Sequence, residues 1–221
     1  MEKKMVILGS ARGEITEKKS RFIASVFEIH SEEEAAGFLD AVRKQYYDAR
    51  HHCYAYVLGE RGETQRFSDD KEPQGTAGKP ILEVIRGQGF SNTLIVVTRY
   101  FGGILLGTGG LARAYTASAQ EGLRSAEQNG QCAGVCTGRS VQIVCDYNLS
   151  GKVQYLISQM EIPVAEVLYG ADVTWKLMVP EELLASFTKK ITEATNAGAK
   201  LTAGEQGSFL ISDGRPVDWK W

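Results

Sequence analysis

The feature that most constrains this chain is the stretch 92–119, NTLIVVTRYFGGILLGTGGLARAYTASA. Leu94, Ile95, Val96 and Val97 form an unbroken apolar run, too short for a typical helix and rich in β-branched residues. It reads as a strand buried on both faces. Arg99, Tyr100 and Phe101 follow at once, and Gly102, Gly103, Gly107, Gly109 and Gly110 fall within nine positions. From Leu111 an amphipathic pattern runs through Ala114, Tyr115, Ser118, Gly122 and Leu123, which is the spacing of a helix. The order is strand, glycine-rich loop, helix.

Glycines at a helix start let backbone N–H groups point outward, and the helix macrodipole adds partial positive charge there, so an anion can be held at Gly107, Gly109 and Gly110. Arg99 at the strand end and Arg113 in the first helical turn are bidentate donors suited to a phosphate or carboxylate. The competing reading is that the glycines only permit a tight crossing and close packing, with both arginines in ion pairs. Gly102 and Gly107 have P-loop spacing, but Thr108 stands where the lysine is required, and no GxGxxG run is present. Both nucleotide motifs are therefore rejected.

A length of 221 residues accommodates one large domain or two of about 100 residues each. The formal charge is −2, and cutting at residue 135 leaves 17 basic against 17 acidic residues before it and 8 against 10 after it. Neither half is a basic footprint, so nucleic-acid binding through bulk charge is unsupported, whereas a local patch of Lys18, Lys19, Arg21, Arg99 and Arg113 is compatible with it. Residues 1–8 carry no cleavage-type region and no apolar run approaches ~18 residues, so a soluble, cytoplasmic protein without membrane contact is expected. Cys53, Cys132, Cys136 and Cys145 lack both a disulfide framework and a second zinc-ligand pair. They read as reduced thiols.

Residues 20–29 alternate as a strand apolar on both sides. Ser31 and Glu34 form a capping box that opens a helix burying Ala35, Phe38, Leu39 and Val42. In the strand 51–58, Cys53, Ala55 and Val57 point one way and His52, Tyr54 and Tyr56 the other. That second face is either a binding surface or the half-exposed side of a sheet. A His52/Cys53 nucleophile pair is excluded, since neighbours on a strand point apart. Residues 63–68 read as a hairpin partner, and 69–80 as a loop in which Asp69, Asp70 and Glu72 either hold Mg²⁺, supply a general base, or form a solvated turn. Pro80 leads into a short helical segment at 81–86.

Residues 128–138 (QNGQCAGVCTG) carry three glycines and no apolar period, which marks a boundary. Beyond it come strand 141–147, helix 149–160, strands 164–169 and 173–179, helix 181–195, and a terminal strand or hairpin in 200–211. This is βαββαβ, a ferredoxin-like plait. The expected division is therefore a first domain at 1–132, a linker at 133–138, a second domain at 139–212, and a tail at 213–221 in which Trp219 and Trp221 dock onto the domain or a partner.

The run GFSNTLIVVTRYFGGILLGTGGLARAYTASA, with KSRFIASV, HHCYAYVLG and FSDDKEPQGTAGKPIL, closely resembles the YigZ/IMPACT family, densely over residues 15–126. The resemblance implies an α+β protein of two domains. The first would have the left-handed βαβ fold of GHMP kinases and of domain IV of the translocase elongation factor, and the second would resemble that factor's ferredoxin-like domain V. Eukaryotic relatives are translation regulators, and family membership carries no established catalytic residues.

Two functions follow. The first is a non-catalytic, translation-linked binding protein presenting one groove of His52, Tyr54, Asp69, Asp70, Arg99, Tyr100, Gly102, Gly103, Gly107, Gly109, Gly110 and Arg113 to the ribosome, RNA or a protein factor, with no cofactor or metal. The alternative is an enzyme or sensor with an anionic small molecule at the glycine loop, Arg99 and Arg113 as clamps, and His52 or Asp69/Asp70 as acid–base groups. Nothing in the sequence fixes an oligomeric state.

Overall fold

In a computed structural model, residues 4–59 and 61–217 are described. The chain divides into two units between Cys132 and Ala133. The first contains β1 (Met5–Ile7), β2 (Ser10–Glu17), β3 (Ser20–Glu28), α1 (Glu32–Gln45), β4 (His51–Leu58), β5 (Thr64–Ser68), α2 (Gly78–Gly87), β6 (Phe90–Ser91), β7 (Thr93–Tyr100) and α3 (Gly107–Gln128).

An apolar run must be covered on both sides, and β7 is. It is the central strand of an antiparallel sheet ordered β2-β3-β7-β4-β5. Ile95 and Val97 pack into a core with Ile81 and Ile85 of α2 and Ala114, Tyr115 and Leu123 of α3. Leu94 and Val96 face Ala35, Leu39 and Val42 of α1. β3 and β4 both lie antiparallel to β7, and α1 carries the chain from one to the other. The crossover is thus split, with β7 threaded between its strands. The helix caps follow the sequence: Ser31 Oγ accepts the Glu34 N–H at 3.1 Å, and Glu34 reaches back to the His30 N–H at 2.7 Å.

The second unit takes up β8 (Cys132–Cys145) and continues with α4 (Tyr147–Gln159), β9 (Val164–Tyr169), β10 (Val173–Pro180), α5 (Glu181–Ala194), β11 (Lys200–Ser212) and β12 (Arg215–Val217). β9, β10, β8 and β11 are neighbours in that order and all antiparallel, with β12 added beside β11. Val153 and Ile157 of α4 and Phe187 and Ile191 of α5 close one core over Ile143, Val173, Trp175 and Leu177. This is the ferredoxin-like plait.

One expectation is corrected. Residues 133–138, read as a linker, belong to β8 and pair with β11 from Gly134↔Ile211 to Gly138↔Gly207. The small residues there mark a tight fit: a Cβ on Gly138 would sit 3.0 Å from the Pro180 Cα. The strand begins where pairing begins, and backbone pairing needs no apolar period. In the region expected as a tail, Arg215–Val217 forms a strand, and Trp219 and Trp221 lie outside the described residues.

Candidate binding surface

The last residues of β7 point alternately to the two sides of the sheet, which decides what each can do. Arg99 points to the α2/α3 side, where it is 5% exposed. Its Nη1 donates to Glu72 Oε1 at 2.6 Å and its Nη2 approaches Ser20 Oγ at 3.4 Å. The guanidinium also lies 5.4 Å from the Phe22 ring centroid and 5.6 Å from that of Phe101. Tyr115 donates its hydroxyl to the same Glu72 oxygen at 2.9 Å, and the Cys53 thiol lies 3.3 Å from that hydroxyl. Burial pushes the Cys53 and Tyr115 pKa values up, so both stay protonated across the physiological range. Arg99 is thereby committed to an internal network rather than to a ligand.

The acidic loop is committed too. Asp69 accepts backbone N–H groups from Gly75, Ala77 and Gly78 at 2.8, 2.9 and 2.8 Å, which caps the start of α2. Asp70 accepts the His52 N–H at 2.6 Å, and its carbonyl accepts His51 Nδ1–H at 2.9 Å. Among the described residues no cluster of three His, Cys, Asp or Glu is placed to hold a metal ion. These loop carboxylates hold the chain in shape.

Tyr100, Tyr54 and His52 lie on the other side of the sheet, toward α1. Tyr100 donates to Asp48 at 2.7 Å and carries Arg21 5.8 Å above its ring, and Tyr54 stacks on Tyr56. His52 is 6% exposed, with Nε2–H donating to the Tyr46 carbonyl at 3.2 Å. The single groove expected from these residues with Arg99 does not form. The sheet stands between Arg99 and Tyr100, which are consecutive on one strand.

Burial holds the His52 pKa below its ordinary 6.5, against the opposing pull of the Tyr46 carbonyl and the Asp70 carboxylate. The unfolded chain takes up a proton there near pH 6.5 and the folded chain only at lower pH. The contribution of neutral His52 is therefore fully present above about pH 6.5 and is lost as the pH falls below it. Melting temperatures measured between about pH 7.5 and 5.5 should fall less steeply for His52→Gln than for the parent. Equal slopes would remove His52 from the acid sensitivity.

The glycine loop, residues 101–106, and the start of α3 behave differently. The Gly102 N–H donates to Ser20 Oγ at 3.2 Å, and the Gly102 Cα lies so close to the Lys19–Ser20 backbone that a Cβ would overlap it. Gly103 and Gly107 have φ of +83° and +70°, where glycine is favoured. Gly109 faces open space, a Cβ there meeting only Arg113 Nη1 at 3.9 Å, and Gly110 lies over the Leu106 side chain. No side chain caps α3.

This segment is anchored at Gly102 on Ser20 and at Leu106, which packs partly buried against the core under α2 and α3, and it is apolar outside. Phe101 is 46%, Ile104 42% and Leu105 84% exposed. Lys18 and Lys19, in the turn that Gly102 packs against, are exposed, as is Arg113 beside Gly109. An exposed apolar knuckle bordered by cations suits a macromolecular partner with anionic and apolar surface. Glu72, expected as a metal ligand, a general base or part of a solvated turn, instead holds Arg99 and Tyr115, whereas the pinning partners Ser20 and Tyr115 and the knuckle residues Phe101, Ile104 and Leu105 are not among the site residues that the sequence singles out. The apolar triplet Ile104-Leu105-Leu106 inside a glycine-rich loop was the available signal, because loops are ordinarily polar.

Residues 18–123 match the family described as Impact N-terminal domain, and residues 143–197 the one described as Domain of unknown function (DUF1949). A Bacillus subtilis (strain 168) protein described as IMPACT family member YvyE is 38% identical over 195 residues, 87% of this chain and 87% of its own. The Escherichia coli (strain K12) protein described as IMPACT family member YigZ is 37% identical over 191 residues, 86% of this chain and 92% of its own. A crystal structure described as that of a hypothetical protein superimposes with a TM-score of 0.54 at 34% identity, covering 93% of this chain and 98% of that one. Among the described residues, no helix is long and apolar enough to cross a membrane.

Proposed function

The chain belongs to the IMPACT family, and from that premise we propose that it is a cytoplasmic, non-catalytic regulator of translation that contacts the ribosome through residues 101–106 and the cations around them. The carrying observation is Leu105, 84% exposed on a loop held in place by Gly102 and Ser20. A free apolar loop tip would ordinarily fold back or be polar. Here the loop is anchored, with Phe101 and Ile104 beside Leu105 and with Lys18, Lys19 and Arg113 supplying attraction to ribosomal phosphate. That attraction is local, which fits a chain whose overall charge is −2. The family's link to translation and the elongation-factor-like domain pair support the choice of partner.

The test is co-sedimentation with purified ribosomes. Leu105→Ser and the pair Lys19→Ala/Arg113→Ala alter only exposed side chains, so the fold should be kept. Each is expected to weaken binding by about tenfold, a loss of roughly 1.4 kcal/mol, and the pair should also flatten the salt dependence. Binding that is unchanged in both variants would rule this surface out. A second reading rests on α3, whose first turn has no side-chain cap and has Arg113 beside Gly109: a phosphorylated or carboxylated metabolite bound there. It predicts a rise in melting temperature with such a metabolite that Arg113→Ala abolishes.

A further inference from the structure

A cleft of about 650 Å³ opens where β4 ends and α2 runs into β6. Thr93 pairs with Val57, whereas Arg99 pairs with His51. The cleft therefore lies at the opposite end of the sheet from residues 101–106, roughly 20 Å away along β7. Its volume is in the range of small-molecule sites, about 300–1,000 Å³.

Three cations line it, Lys4, Arg61 and Arg86, against one carboxylate, Glu83. Glu83 is in turn shared with Lys79 at 4.0 Å. None of the three cations is ion-paired among the described residues. Arg86 alone has an ordinary explanation, since it stands in the last turn of α2, where a cation complements the macrodipole. Lys4 precedes β1 and Arg61 sits in the β4–β5 turn, so the macrodipole accounts for neither. Three separate segments bring cations to one concavity, and the buried side chains of Val57 and Phe90 line it beside them. Converging guanidinium and ammonium groups around a partly apolar hollow match a phosphate-bearing ligand with a flat organic part. We infer that this cleft binds such a ligand, either a free nucleotide or a nucleotide unit within RNA, as a site separate from the loop surface.

The experiment uses the full chain, two probes and one competitor. The probes are ATP carrying a fluorescent ribose label and a fluorescein-labelled decauridylate, and the competitor is inorganic pyrophosphate. Fluorescence anisotropy is expected to report binding of at least one probe, displaced by pyrophosphate and weakened by about tenfold or more in Arg61→Ala/Arg86→Ala, as loss of charge-assisted contacts requires. Both arginines are exposed, and matching melting temperatures would confirm that the variant is folded. Binding of the labelled ATP assigns the site to a free nucleotide, and binding of the RNA alone assigns it to a polynucleotide. Leu105→Ser should leave either signal intact. The inference is overturned if neither probe binds, if the double variant binds like the parent, or if only Leu105→Ser abolishes binding.

Discussion

Arg99→Ala is expected to lower the stability of the first unit by about 3–5 kcal/mol, the usual consequence of stranding one partner of a buried ion pair. The Arg99 and Glu72 side chains are only 6% and 4% exposed. Without the guanidinium, Glu72 keeps the Tyr115 hydroxyl and a distant His51 Nε2 at 4.0 Å, too little to hold a buried carboxylate. The attachment between β7 and Ser20 weakens at the same time. Replacing both partners by Arg99→Met/Glu72→Met should cost far less than the single change, because no buried charge then lacks a partner. Urea denaturation followed by circular dichroism measures both. A loss below about 1 kcal/mol in Arg99→Ala would mean that the network does not anchor the loop.

Gly102→Ala is expected to cost about 1–3 kcal/mol and, if the proposed ribosome contact is made by residues 101–106, to abolish that contact as well, since the added methyl must displace either the loop or the β2–β3 turn. Neighbouring glycines separate packing from recognition. At Gly109, where a Cβ meets nothing closer than Arg113 at 3.9 Å, alanine should raise stability by roughly 0.5–1 kcal/mol by restricting the unfolded chain. If the open first turn of α3 itself touches a partner, Gly109→Ala will be more stable and yet bind less. Melting temperature and co-sedimentation read on the same two variants distinguish the cases. A Gly102→Ala protein with the parent's melting temperature would show that close backbone approach is not what positions the loop.

Much of the fold was legible because its signals are local. The apolar run 94–97 is a strand covered on both faces, Ser31 and Glu34 cap α1 as their spacing requires, and the order of strands and helices after residue 140 is that of the plait. The linker reading failed because glycine and small residues look alike whether they loosen a chain or let two strands approach closely. At Gly138 they do the second.

The site was legible only in part. Alternation along β4 separated His52 from Cys53 correctly, and the same rule applied to Arg99 and Tyr100 would have divided the expected groove. Glu72 could not be chosen over Asp69 or Asp70 as the partner of Arg99. All three stand in one acidic loop, and the choice depends on where that loop crosses the sheet.

From its own residues, then, the chain determines its elements, the faces they bury and the glycine-rich turn between β7 and α3, because each follows from periodicity and backbone freedom within a few residues. Only the tertiary structure decides that Arg99 is internal, that Asp69 caps α2, and that Phe101, Ile104 and Leu105 are left outside. Those outcomes depend on contacts between residues far apart in sequence, such as Ser20 with Gly102, and on a strand order in which β7 lies between β3 and β4. No local pattern encodes which distant partner will be the one to satisfy a buried charge.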